Sequence, residues 1–108
     1  MACEFLKQKG YKILDRNYRK KWGEIDIVAK KDDIIHFVEV KSVSRVTGYL
    51  PEENIHPWKR KRLGRAIQTY LLEKKISEDL EWQTDSLAVF LDFKTRKAKF
   101  RFLENIIL

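Results

Sequence analysis

Between residues 23 and 44 the sequence reads GEIDIVAKKDDIIHFVEVKSVS, setting Glu24, Asp26, Glu39 and Lys41 among residues that otherwise favour a β-sheet. Asp32 and Asp33 tolerate the tight backbone of a turn, so the stretch predicts a hairpin with Lys31 facing Ile34. Its register follows. Val28 falls opposite Phe37, Asp26 opposite Glu39, and Glu24 opposite Lys41, with facing Cβ atoms about 4.5–5.5 Å apart on one side of the sheet.

Glu24 with Lys41 is an attractive pair that an ordinary salt bridge explains. Asp26 with Glu39 is repulsive, and directly opposed carboxylates need a positive charge between them. A divalent cation such as Mg²⁺ supplies it, since it takes hard oxygen ligands, is commonly held by one or two carboxylates, and keeps several waters. Lys41, two residues beyond Glu39 and on its face, places an ammonium within reach of a phosphoryl oxygen or an attacking water. Such a set suits phosphodiester hydrolysis. The same four charges also suit a solvated salt-bridge network at the open end of a hairpin, and a three-residue turn would move Asp26 off the face of Glu39.

The elements that position these groups are readable on either side. Ala2, Phe5, Leu6 and Lys9 have helical spacing and Gly10 stands where a C-cap glycine is expected. A weak first strand follows over Tyr11–Arg19, then the two hairpin strands over Trp22–Val28 and Ile34–Val43. In the last of these Ile35 and Phe37 point one way and Ile34, His36, Val38 and Val40 the other, as in a strand covered on both sides. SRVTGYLPEEN reads as a loop, and a helix starts near Pro57. Leu63, Ala66, Ile67, Tyr70 and Leu71 make its core-facing stripe, with Lys61, Arg65 and Gln68 roughly opposite. Two strands, DSLAVFLDF and AKFRFLENI, close the chain around a turn at Lys94–Arg96.

The 108 residues suffice for one domain, residues 1–108. A single cysteine, Cys3, allows no internal disulfide and, with two histidines, no Cys/His zinc site. That cysteine usage fits a reducing, cytoplasmic setting, and no apolar run approaches a membrane span. Formal net charge of +7 favours an anionic partner: nucleic acid, a phosphorylated ligand or an acidic protein. Lys59, Lys61, Arg62 and Arg65, with Arg60, form the densest basic cluster, suited to phosphate contacts and equally to a solvated helix face. Trp22 and Trp58 could stack on bases or bury their rings. His36 reads as a packed, hydrogen-bonded histidine and His56 as a helix-entry residue.

GEID followed by FVEVK is similar to the core of the PD-(D/E)XK nuclease superfamily, in which one strand carries an Asp and the next a Glu-x-Lys. More closely, the chain resembles the YraN-like (UPF0102) family, regarded as endonucleases. FLKQKGYKILDRNYR, GEIDIVAKKDDIIHFVEVKS, PEEN and KRKRLGRAIQTYL follow its pattern in order. The resemblance implies an α/β, restriction-endonuclease-like αβββαβ core, a central mixed sheet flanked by helices, with an extra C-terminal strand. It implies an Mg²⁺- or Mn²⁺-dependent endonuclease acting on DNA, with branched or otherwise structured DNA among its substrates and a homodimer as one expected state. Asp26 and Glu39 match the metal ligands, the Val40 carbonyl is implied as another, and Lys41 matches the catalytic lysine. Glu24 matches the Glu of GEID, either in a supporting role or only as a partner of Lys41. Lys59 matches a basic position opening the second helix.

Two departures stand out. Family members usually carry a Gly-Glu pair just before the position of Ala2, ahead of this sequence's first residue. Glu4 lies five helical residues on, turned by about 140°, and reads as solvated. Near Asp85 the family tends to Arg-Phe-Asp where this chain has Gln83-Thr84-Asp85, so Asp85 reads as structural. The departures keep a rival open: a nuclease fold that binds DNA or assembles without catalysis. A basic protein-interaction domain is a third class.

Overall fold

A computed structural model describes residues 2–43, 57–92 and 94–106. The expected loop over residues 44–54 and His56 lie outside them. The order is α1 (Ala2–Gln8), β1 (Lys12–Lys20), β2 (Gly23–Lys31), β3 (Ile34–Val43), α2 (Pro57–Glu73), β4 (Glu81–Asp92) and β5 (Lys97–Leu103). The strands form one sheet in sequence order, β1-β2-β3-β4-β5, antiparallel throughout except for the parallel β3–β4 pair. This is the expected mixed α/β architecture. Among the described residues no helix is long and apolar enough to cross a membrane.

Local chemistry fixes the ends of the elements. Gly10, at φ 93°, lets α1 terminate with Gly10 N donating to Lys7 O and Tyr11 N to Leu6 O, both at 3.0 Å, a Schellman closure. Asp32 and Asp33 both take positive φ, 51° and 62°, the backbone of a type I′ turn. β4 begins earlier than its composition suggests, at Glu81. Parallel pairing with β3, from Ile34 opposite Glu81 onward, gives its polar first residues a ladder that propensity alone does not indicate.

Each face of the sheet carries its own apolar layer. On one, Ile25, Val28, Ile35 and Phe37 pack against Leu63, Ala66, Ile67 and Tyr70 of α2. On the other, Ile27, Ala29, Val38, Leu87 and Val89 pack with Leu6 of α1 and Tyr11. Fully buried side chains such as Phe37 and Ile67 each contribute about 1.5–3 kcal/mol through loss of apolar surface from water. The alternation expected for β3 holds, so Glu39 and Lys41 share the α2 side with Ile35 and Phe37.

α2 approaches β2 closely at Gly23, which is buried. A Cβ there would run into the backbone carbonyl of Arg62 and stand 3.2 Å from the Ala66 Cβ. The absent side chain therefore sets the helix height over the strand, which in turn places the first turns of α2 beside the hairpin's charged residues.

A candidate phosphodiester-hydrolysing site

The hairpin register runs as expected from Lys31 opposite Ile34 to Ile27 opposite Val38. Beyond that the backbone pairing ends, and Val40 N donates to Asp26 Oδ2 at 2.8 Å. A side-chain carboxylate thus accepts the N–H that a further ladder rung would have used. β2 changes phase at the same point: Ile25 and Val28, three residues apart, both join the α2-side core, whereas Ile27 joins the other. Across β1, Asn17 at φ 51° lies between the pairs Arg16–Ile27 and Tyr18–Ile25. Strict alternation does not pass through Asp26, so Asp26 does not simply oppose Glu39 across a continuous ladder.

The ion pairs differ from the expected ones too. Glu24 pairs with Arg19, its neighbour on β1, at 3.5 Å, and Lys41 pairs with Glu39 at 3.6 Å. The expected Glu24–Lys41 bridge is replaced because the end of the β2–β3 ladder separates these positions while Arg19 stands directly across β1 from Glu24. The Arg19–Glu24 pair is largely exposed and contributes little to stability. Glu39 and Lys41 are mostly sheltered, with side chains 17% and 18% exposed.

These groups line one cavity of about 450 Å³ between the start of α2 and the open end of the hairpin. Its wall includes Glu24, Asp26, Glu39, Val40 and Lys41 from the strands, and Trp58, Lys59 and Arg62 from α2. Lys61 and Arg65 of the basic cluster are exposed and outside that wall. Their spacing on α2 turns them away from the face that carries Lys59 and Arg62.

Electrostatics in the cavity are perturbed in opposite senses. Burial, followed by the charge of Glu24, raises the Asp26 pKa, against the lowering effects of the Val40 N–H, Lys41 and Arg19. Burial lowers the Lys41 pKa, and the adjacent Lys59 ammonium lowers it further, against the pull of Glu39. Two lysines held together in a sheltered cleft could receive an anion.

Among the described residues no three or more His, Cys, Asp or Glu groups gather as a metal site. The oxygen donors in this wall include the carboxylates of Glu24, Asp26 and Glu39. They fit a hard cation that retains water, such as Mg²⁺, and do not fit an ion that needs a full cage of side chains.

Three expectations outside the cavity have clear outcomes. His36 is buried and shares a 2.5 Å hydrogen bond with Asp85 Oδ2. Asp85 is fully buried and its Oδ1 accepts from Gln83 Nε2 at 2.8 Å and Asn105 N at 2.9 Å, a structural role. Glu4 is exposed on α1. Trp22 is tied to α2 by its Nε1, which donates to Thr69 Oγ1 at 2.8 Å, whereas Trp58, 57% exposed, stands at the cavity. Gly23 was not singled out by sequence reasoning. The signal available was a glycine opening a strand, which often marks close backbone approach.

Comparison with known proteins agrees with the motif. The model of the "Uncharacterised protein family UPF0102" matches residues 1–102. A UPF0102 protein of Campylobacter hominis is 38% identical over 108 residues, covering 100% of this chain and 88% of the relative. One from Campylobacter lari is 40% identical over 106 residues, covering 98% and 86%. One from Alkaliphilus oremlandii is 40% identical over 105 residues, covering 97% and 89%. With the family pattern spanning nearly its whole length, the chain belongs to UPF0102.

Proposed function

We propose that this protein is a divalent-metal-dependent endonuclease that hydrolyses DNA phosphodiester bonds. The observation that carries the reading is the joint placement of Asp26, Glu39, Val40 and Lys41 in one cavity with Lys59 and Arg62. Asp26, Glu39 and the Val40 carbonyl would hold Mg²⁺ or Mn²⁺. Once bound, the ion would offset phosphate charge and make water a stronger nucleophile.

The chain's own residues supply the rest. Asp26 is oriented by the Val40 N–H, which fixes one carboxylate oxygen and leaves the other for a ligand. Lys41, anchored by Glu39, presents its ammonium to a non-bridging phosphoryl oxygen and stabilises charge that develops there. Lys59 and Arg62 flank it from α2 and receive neighbouring phosphates. Trp58 at the cavity offers a ring on which an unpaired base can stack, which favours branched or otherwise structured DNA as substrate.

The test is incubation with branched, nicked and single-stranded DNA in Mg²⁺ or Mn²⁺. Cleavage that falls by at least about 100-fold in Asp26→Ala, Glu39→Ala and Lys41→Ala is expected. No cleavage of any substrate, or equal cleavage by Asp26→Ala, would overturn the reading. One observation favours the rival, a nuclease fold without catalysis: Glu24 lines the cavity with Asp26 and Glu39, yet among the described residues no three His, Cys, Asp or Glu groups gather as a metal site. Calorimetric titration with Mn²⁺ separates the two, because binding abolished by Glu39→Ala supports a working metal site.

A further inference from the structure

The basic groups that bracket the cavity from α2 have a counterpart on the opposite edge of the sheet. In β5, Ala98, Phe100 and Phe102 pack into the α1-side core. By alternation Lys97, Lys99 and Arg101 project from the other face. That is the face of Glu39 and Lys41. The guanidinium of Arg101 confirms it, lying 5.5 Å from the ring centroid of Phe90, a residue that alternates with the inward Leu87 and Val89 of the other face.

The register connects these residues to the cavity. Lys41 is opposite Ala88, and Ala88 is opposite Arg101. Arg101 therefore lies in the same transverse row as Lys41, two strands and roughly 10 Å away. Lys99 and Lys97 extend the line along β5 at intervals of roughly 7 Å. Lys97, Lys99 and Arg101 are all exposed. Lys99 and Arg101 face the uncharged Phe90 and Ala88 across the ladder, while Lys97 faces Asp92, whose Oδ1 accepts from Lys94 N at 2.9 Å and Thr95 N at 3.4 Å.

We propose that Lys97, Lys99 and Arg101 form a second phosphate-contact surface, which holds the DNA backbone on the far side of the cavity from Lys59 and Arg62. The surface rests on the nuclease reading for its purpose, and deepens it. α2 packs over β2 and β1, so its basic first turns and the β5 row stand on either side of β3. DNA bound over Lys41 then meets Arg101 in the same transverse row, and a stretch of phosphate backbone lying along β5 meets Lys99 and Lys97 in turn. Charge complementarity commits the surface to a polyanion, and the regular spacing of the three cations suits a phosphate backbone better than a single anionic ligand.

The test is DNA binding in EDTA, where no cleavage intervenes, measured by fluorescence anisotropy over a salt series. The triple variant K97Q/K99Q/R101Q is expected to lose at least about tenfold in affinity at low salt. Its slope of log affinity against log salt should shrink by about 2 to 3, the loss of three phosphate contacts. A control, K7Q/K12Q/K75Q, removes the same formal charge from exposed positions elsewhere and should change the slope by less than 1, the share of about one phosphate contact. The charge-conserving variant K97R/K99R should bind like the parent and so exclude damage to the strand.

An unchanged slope for the β5 variant, or equal weakening by both triple variants, would overturn the proposal. An unchanged slope with increased aggregation would identify the charges as guards of an edge strand instead. Cleavage assayed separately in Mn²⁺ keeps the two claims distinct: wild-type protein that binds through β5 but never cleaves would overturn the nuclease reading alone.

Discussion

The carboxylate of Asp26 accepts the backbone N–H of Val40 at 2.8 Å, just where the ladder between β2 and β3 stops. One residue thereby terminates the strand pairing and is itself oriented. Its ionised form is disfavoured by burial and by Glu24, so the folded chain holds a proton on Asp26 more tightly than the unfolded chain does. The sign follows from linkage: stability falls as pH rises from the ordinary 3.8 through the raised value. Asp26→Asn carries no charge, and its Oδ1 can still accept from Val40. In EDTA it should melt a few degrees above the wild type at pH 7, with the difference closing as pH falls through that window. Circular dichroism melts across pH measure it, and a wild type that is the more stable at pH 7 would contradict the assignment.

Gly23 sits under the backbone of α2. Gly23→Ala forces the helix outward and should cost about 1–3 kcal/mol, the usual range for overpacking. Urea denaturation would report it as a lower midpoint at unchanged slope. Because the same contact sets the height of Lys59 and Arg62, DNA binding should weaken as well.

Lys59 lowers the pKa of Lys41 by proximity. Replacing it as Lys59→Gln should therefore raise the Lys41 pKa, which NMR titration of the lysine side-chain signals would detect directly. The same variant removes one phosphate contact and should reduce the salt slope of DNA binding by about 1. No movement of the Lys41 titration would show that the two ammonium groups do not share the cleft.

Asp85 gathers His36, Gln83 and the Asn105 N–H inside the α1-side core. Asp85→Ala removes the partner of the buried His36 and of the more exposed Gln83 and Asn105 and should destabilise by about 1–3 kcal/mol. The loss is expected in chemical denaturation. Cleavage per folded molecule should stay within about twofold of wild type, a barrier change of about 0.4 kcal/mol, because Asp85 lies outside the cavity wall.

Much of this protein was legible in its residues. The i, i+3, i+4 stripe from Leu63 to Leu71 defined the buried face of α2, and Asp32-Asp33 defined the hairpin turn and with it the register as far as Ile27 and Val38. The alternation of Ile35, Phe37 and Glu39 against His36, Val38 and Val40 assigned the faces of β3 because β-structure has period two. Local rules of this kind act over a few residues and leave their mark in sequence. They also brought the motif residues Asp26, Glu39 and Lys41 into view together.

Tertiary structure decided what those rules could not reach. The phase change in β2 at Asp26 depends on Asn17 in a different strand and on a backbone N–H in a third. Glu24 turned to Arg19 because β1 lies across from it, and Lys59 met Lys41 because Gly23 lets α2 come close. Each of these is a contact between elements distant in the chain, fixed by packing and hydrogen-bond competition. Residue types and spacing determined which groups could do chemistry here; only the packed sheet and helix determined which of them face one another.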